Sequence, residues 1–144
     1  MENTINNYRI NDQFEQTDLN FVHRELAKSY WSKNIAFETV KKSSENSLCF
    51  NVFLGNEQIA FARVITDKTS FAYLCDVIVT ESFRGKGIGK TLMAFIMKHP
   101  DLQGLRRFTL ATKDAHGLYA QFGFTALKFP DRQMEINVRE IYDF

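Results

Sequence analysis

A three-layer α/β (α+β) architecture, a mixed sheet with helices on its faces, is what this sequence predicts. Three stretches carry that expectation. An apolar β-branched run, Val77-Ile78-Val79, enters a polar glycine turn and leaves it as a helix with Ile88, Leu92, Phe95 and Ile96 at helical spacing. Two β-rich runs, Leu48 to Leu54 and Gln58 to Thr66, flank Gly55-Asn56-Glu57 as a hairpin. Arg107 to Ala111 then reads as a strand buried between helices, followed by a helix over Ala115 to Phe122.

The remaining elements fall between these. Tyr8 to Phe14 alternates and reads as a first strand. Thr17 or Asp18 caps a helix running to about Ser29, with Leu19, Val22, Leu26 and Tyr30 along one face. Asn34 caps a short second helix through Ile35, Phe37 and Val40 to about Lys42, and Ser43-Ser44-Glu45-Asn46 is a polar break. Asp67-Lys68-Thr69-Ser70 turns the chain into a third long strand, Phe71 to Val79. The helix after the glycine turn stops at His99-Pro100, where proline forbids continuation. Asp114 reads as the cap of the next helix and Gly123 as its C-cap. Thr125 to Phe129 and Met134 to Val138 read as two closing strands split by Pro130-Asp131. With no repeat or linker, residues 1–144 read as one domain.

Composition narrows the function. Hydrophobic residues make up 44% and charged ones 24%, the balance of a globular protein with a sizeable core. A net charge of +1, with Lys and Arg scattered, gives no electrostatic case for a nucleic-acid or membrane partner. Oligomeric state is not legible. Cys49 and Cys75 sit in apolar strand-like runs and read as buried packing residues, with no spacing that would hold a metal. The first residues lack a signal-peptide pattern and no apolar run is long enough to span a membrane, so the expected setting is the cytoplasm.

The glycine turn carries the chemistry. A strand, a glycine turn and a helix start together expose several backbone N–H groups to an anion, and Arg84, Lys86 and Lys90 add charge. The expected ligand is a diphosphate. A P-loop would need glycine where Arg84 stands, although Gly89-Lys90-Thr91 supplies its end and leaves a nucleotide-phosphate enzyme as one option. A dinucleotide fingerprint fails too, because its third glycine would fall on Lys90 or Leu92. What fits is R-x-x-G-x-G over Arg84 to Gly89, which resembles the acetyl-CoA pyrophosphate loop of the GCN5-related N-acetyltransferase (GNAT) superfamily. Leu118-Tyr119-Ala120-Gln121-Phe122-Gly123-Phe124 resembles the L-Y-x-x-x-G-F segment that closes the cofactor site of the same superfamily. The two motifs stand in the order that family uses, and the resemblance spans Leu48 to Phe129.

The resemblance implies a sheet splayed between its fourth and fifth strands, here Phe71 to Val79 and Arg107 to Ala111. It also implies acetyl-CoA as acetyl donor, with its pantetheine arm on the backbones of Val77, Ile78 and Val79. The pyrophosphate would lie on the amides of Arg84, Gly85, Lys86, Gly87, Ile88, Gly89 and Lys90. Tyr119 matches the family's general acid, and Tyr30 and Trp31 fall where its two-helix segment borders the acceptor pocket. Where relatives often carry a glutamate this chain has Cys75, so Asp76 is the remaining carboxylate, acting through a water or by attracting a cationic amine. The implied activity is acetyl transfer to a primary amine of a small molecule or peptide by direct attack in a ternary complex. The departure at Cys75 also suits a non-catalytic acyl-CoA-binding module. His116 reads as an exposed or capping residue, and Gly117 as a point where ligand or backbone approaches closely.

Overall fold

The computed structural model describes residues 1–143. Six strands form one sheet in sequence order: β1 (Glu2–Ile5), β2 (Tyr8–Asn11), β3 (Leu48–Leu54), β4 (Glu57–Thr66), β5 (Phe71–Val79) and β6 (Arg107–Leu110). All neighbours are antiparallel except β5 and β6, which run parallel and so need the intervening crossover. That crossover is α3 (Ile88–Met97). Its buried Ile88, Leu92, Met93 and Ile96 pack on Phe50, Val52, Ala62, Val64 and Leu74, and α4 (His116–Ala120) sends Tyr119 into the same layer. On the opposite face α1 (Leu19–Lys28) and α2 (Phe37–Glu45) bring Phe21, Val22, Leu26 and Val40 onto Cys49, Phe61 and Ile78. Helices on both faces of a mixed sheet are the three layers expected from the sequence.

The ends of the chain depart from expectation. An additional strand, β1, pairs with β2 through a turn in which Asn6 and Asn7 both have positive φ (51° and 70°). That is the primed turn favoured in two-residue hairpins, with asparagine tolerating the left-handed region. With β1 counted, the parting strands are the fifth and sixth. The expected first strand is shorter, because Phe14–Gln16 is a 3-10 turn. Asn34 lies outside α2 at φ 69°, and the helix begins after Ala36 and continues through the supposed polar break to Glu45. Tyr30 lies beyond α1 and is exposed. Strand β6 is an edge strand, half-exposed, and is not buried between helices. Neither Thr125–Phe129 nor Met134–Val138 is a strand: the first bends at Ala126 and Lys128, and neither has a ladder partner among the described residues. An alternating pattern makes a strand only where an edge is in reach to pair with it.

Two features fix the sheet around the site. Asn11, Asn51 and Gln58 are buried side by side, and each amide is satisfied. Asn51 donates to Asn11 Oδ1 (3.2 Å) and the Gln13 carbonyl (3.1 Å), while its own oxygen accepts from Gln58 Nε2 (2.9 Å) and Thr17 Oγ1 (3.0 Å). Gln58 Oε1 accepts from the Asp18 N–H at 2.7 Å, and Asp18 in turn caps α1 by accepting from the Phe21 N–H at 3.1 Å. The network therefore locks the start of α1 to the sheet. The second feature is a bulge. Between the pairs Arg63–Cys75 and Phe61–Ile78, two residues of β5, Asp76 and Val77, face the single residue Ala62. Asp76 takes φ 53° there, which turns the strand just before it meets the glycine loop.

Candidate active site

Strands β5 and β6 pair over Phe71–Leu74 and Arg107–Leu110, and then β6 ends. From Cys75 to Val79, β5 keeps β4 on one side and, among the described residues, has no strand on the other. Unpaired backbone amides and carbonyls of a strand are a template for an extended ligand. A cavity of about 430 Å³ opens at the parting, lined by Tyr73 to Val77, Leu110 to Ala115, Tyr119, Tyr30 and Trp31. The sheet is thus open where the sequence motifs required it. Val77 and Val79 face the α3 layer, whereas Ile78 is buried against α1 and α2, leaving only its backbone toward the gap.

Beyond Val79 the chain makes a 3-10 turn at Glu81–Phe83 and enters α3 through Gly87. Gly85 and Gly87 have φ of 77° and 80°, a region costly for residues with a Cβ, yet a Cβ at either would meet nothing within 4 Å. The space over both glycines is therefore open to a ligand. No side chain caps α3, so the amides of Ile88, Gly89 and Lys90 are left at the positive end of its dipole. Ile88 itself is buried in the core and contributes only its N–H. Lys86 and Lys90 are exposed beside the loop, with the Lys86 ammonium 5.2 Å from the Phe83 ring centre. Arg84 donates from Nε to the Val79 carbonyl at 3.0 Å, tying the loop to the end of β5. An uncapped helix start, two open left-handed glycines and three cations fit a diphosphate.

Tyr119 lies at the other wall of the gap. It is 7% exposed, packs edge-on against Phe124 at 6.2 Å, and is followed by Gly123 at φ 94°, which ends α4. Burial raises its phenol above the usual tyrosine value, and the charges of Tyr30 and Asp114 push the same way, so the ring is protonated at neutral pH. Asp114 does not cap α4; Thr112 Oγ1 accepts from the Ala115 N–H instead, at 3.0 Å. His116 is exposed and does not line the cavity. A Cβ on Gly117 would meet nothing within 4 Å, so no protein group approaches it.

Asp76 is not free. Its Oδ2 accepts from Arg63 Nε at 2.9 Å, and its Oδ1 accepts from the Trp31 indole N–H at 3.1 Å. Trp31 stacks edge-on with Tyr30 at 5.0 Å, and Lys113 lies 5.3 Å from the Tyr30 ring centre. Burial pushes the Cys75 thiol up to about 12, against the opposing field of Arg63, so it is neither a thiolate nor a nucleophile at neutral pH. Arg63 and Lys113 belong to the site and were not singled out from sequence. Arg63 sits inside an ordinary strand run, and only the β4–β5 register brings it to Asp76.

Comparison with known proteins agrees with this geometry. Residues 11–124 match the Acetyltransferase (GNAT) family. A solved GNAT-family structure from Xanthomonas campestris pv. campestris is 45% identical, with a TM-score of 0.94, and the match covers 99% of this chain and 100% of that one. A Clostridium acetobutylicum structure determined with acetyl-CoA is similar in fold alone, at 16% identity and TM-score 0.67, covering 95% and 96% of the two chains. The uncharacterized N-acetyltransferase ycf52 of Gracilaria tenuistipitata var. liui is 36% identical over 67 residues, or 46% of this chain, which spans only 37% of that relative's length. No helix among the described residues is long and apolar enough to cross a membrane. With four-fifths of its length matching the family and the parted sheet, glycine loop and closing helix in their places, the chain belongs to the GNAT acetyltransferases.

Proposed function

We propose that this protein is a single-domain N-acetyltransferase that takes its acetyl group from acetyl-CoA and passes it to a primary amine of a small molecule or peptide. The observation that carries this reading is the parting of β5 from β6 after Leu74 and Leu110, with Tyr119 on one wall and the uncapped start of α3 at its far end. Acetyl-CoA bound there would supply the acetyl thioester. The backbones of Val77 and Val79 orient the ligand's arm as an added strand would. The amides from Arg84 to Lys90 hold the diphosphate. The Val77 N–H, within the bulge, is the donor assigned to charge developing on the acyl oxygen. Tyr119 holds a proton on Oη for the departing sulfur. Cys75, kept protonated, takes no acyl group, which leaves direct attack by the amine. Asp76 is engaged by Arg63 and Trp31, so its assigned role is to position Trp31 and draw a cationic amine to the cavity. That amine gives one proton to water before it attacks and a second as the C–N bond forms and the C–S bond breaks, the phenol of Tyr119 then being reprotonated from solvent.

The deciding experiment measures acetyl-CoA binding by calorimetry and free thiol release across a panel of primary amines. Binding with release supports the reading, and absence of both sinks it. One observation favours a second reading, an acyl-CoA-binding module without turnover: the only carboxylate on β5 has both oxygens occupied. That reading expects binding with no thiol release for any amine.

A further inference from the structure

The two halves of β5 are out of phase by one residue. Ala72 and Leu74 face the α3 layer, and so do Val77 and Val79, while Ile78 is buried on the other side against α1 and α2. An unbroken strand keeps one parity on each face, so one residue between Leu74 and Val77 is extra. Cys75 stands directly opposite Arg63, which leaves Asp76 as that residue. It takes φ 53°, a region costly for a side chain with a Cβ, and a strand keeps such a residue only where its surroundings hold it.

Arg63 supplies the hold. Its side chain is 14% exposed and does not line the cavity. Nε donates to Asp76 Oδ2 at 2.9 Å, and a terminal guanidinium nitrogen donates to Ser47 Oγ at 3.0 Å. The Ser47 hydroxyl donates in turn to the Ser43 carbonyl of α2 at 2.7 Å. Cys49 and Cys75 stand opposite Arg63 on its two sides, and their small side chains leave room for the guanidinium. A planar fork thus ties the bulge of β5 to the end of α2.

The phase of β5 decides where its amides point. Thr80 donates its N–H to the Ile59 carbonyl of β4 at 2.9 Å, so the amides of Val79 and Val77, at the alternate positions, turn away from β4 and into the gap. Without the extra residue Val77 would fall into the phase of Thr80 and give its amide to β4. We propose that Arg63 is a positioning residue for acetyl transfer: through Asp76 it keeps the extra residue in β5, and so keeps the Val77 N–H turned to the charge that develops on the acyl oxygen. This role rests on the acetyltransferase reading, in which that N–H is the donor.

The test separates holding the bulge from pairing a buried charge. Arg63→Met removes the fork. Arg63→Met/Asp76→Gly and Arg63→Met/Asp76→Ala remove the carboxylate as well, so neither double leaves a buried charge unpaired. Glycine is at home at positive φ and keeps the bulge unaided, whereas alanine does not. At saturating amine, Arg63→Met and the alanine double should lose about 10²–10³-fold in kcat, the effect of one lost oxyanion donor, and the glycine double should recover at least about tenfold of it. Acetyl-CoA affinity should stay within about fivefold in all three, because the diphosphate binds beyond Val79. Cross-strand NOEs between Phe61 and Ile78 read the same phase without turnover. They should persist in the wild type and the glycine double, and give way to contacts of Phe61 with Val77 in the other two. A kcat for folded Arg63→Met within about fivefold of wild type, or equal losses in the two doubles, would overturn the role of Arg63. So would Phe61–Ile78 contacts that the alanine double leaves unchanged. Should Arg63→Met fail to fold, the two doubles carry the comparison. A wild type that releases no thiol from acetyl-CoA with any amine sinks the acetyltransferase reading and the role in transfer with it, while the NOEs still decide whether Arg63 holds the bulge.

Discussion

Trp31 and Asp76 are 45 residues apart in the chain and joined by one hydrogen bond of 3.1 Å, from the indole N–H to Oδ1. Arg63 takes the other oxygen at 2.9 Å. The three side chains come from the loop after α1, from β4 and from the bulge of β5, so this wall of the cavity is one hydrogen-bonded unit. Removing the indole donor costs on the order of 1–2 kcal/mol where the acceptor is charged. Trp31→Phe is therefore expected to raise KM for the amine about tenfold while leaving acetyl-CoA affinity unchanged. Steady-state kinetics beside calorimetry checks this, and an equal loss of both would place Trp31 on the donor side.

Tyr119→Phe keeps the packing against Phe124 and removes only the proton on Oη. The expected loss in kcat is about 10²–10⁴-fold, the range for a positioned general acid, with acetyl-CoA affinity held within about twofold. Because burial raises this phenol, wild-type activity should fall only as pH rises past the ordinary tyrosine value, and Tyr119→Phe should lose that limb. The same shift acts on stability. A buried phenol with a raised pKa contributes stability that is complete below about pH 10 and is lost at higher pH.

Gly87 separates strain from crowding. Its φ is 80°, yet a Cβ there would meet nothing within 4 Å. Gly87→Ala should cost about 1–2 kcal/mol through the backbone, and Gly87→Asn less, because asparagine tolerates the left-handed region. Gly87→Val adds a branched side chain to the space over the loop and should abolish acetyl-CoA binding while the protein still folds. Thermal shift with and without acetyl-CoA distinguishes these outcomes.

The middle of the chain was legible because local and long-range signals agree there. Leu48 to Leu54 and Phe71 to Val79 are strands with the bounds their alternation suggests, and Ile88, Leu92, Phe95 and Ile96 are all buried on one helix face. The glycine loop was legible because positive φ leaves a mark in residue type. The ends were not. Glu2–Ile5 is polar and becomes a strand only through its asparagine turn onto β2. Met134–Val138 has a strand's pattern but no ladder partner among the described residues. The Arg63–Asp76 pair follows from sheet register and a bulge, neither of which a single sequence displays.

Asn51 offers a test of the scaffold apart from the chemistry. It is fully buried on β3, and its amide joins Asn11, Gln13, Thr17 and Gln58. Asn51→Ala would take one partner each from Asn11 Oδ1, the Gln13 carbonyl and Gln58 Nε2, which keep the Gln13 N–H, the Gln16 N–H and the Ala60 carbonyl, and would remove the acceptor of the Thr17 hydroxyl. With four hydrogen bonds lost at about 0.5–1.5 kcal/mol each, a loss of roughly 2 kcal/mol or more is expected in urea unfolding. The damage should be felt at α1, because Gln58 holds the Asp18 N–H and Asp18 caps that helix. Asn51→Ala is therefore expected to increase amide exchange over Leu19–Lys28 before it does so in α3, which packs on the opposite face. Exchange that rises equally in both helices would show that the network acts on global stability alone and does not anchor α1.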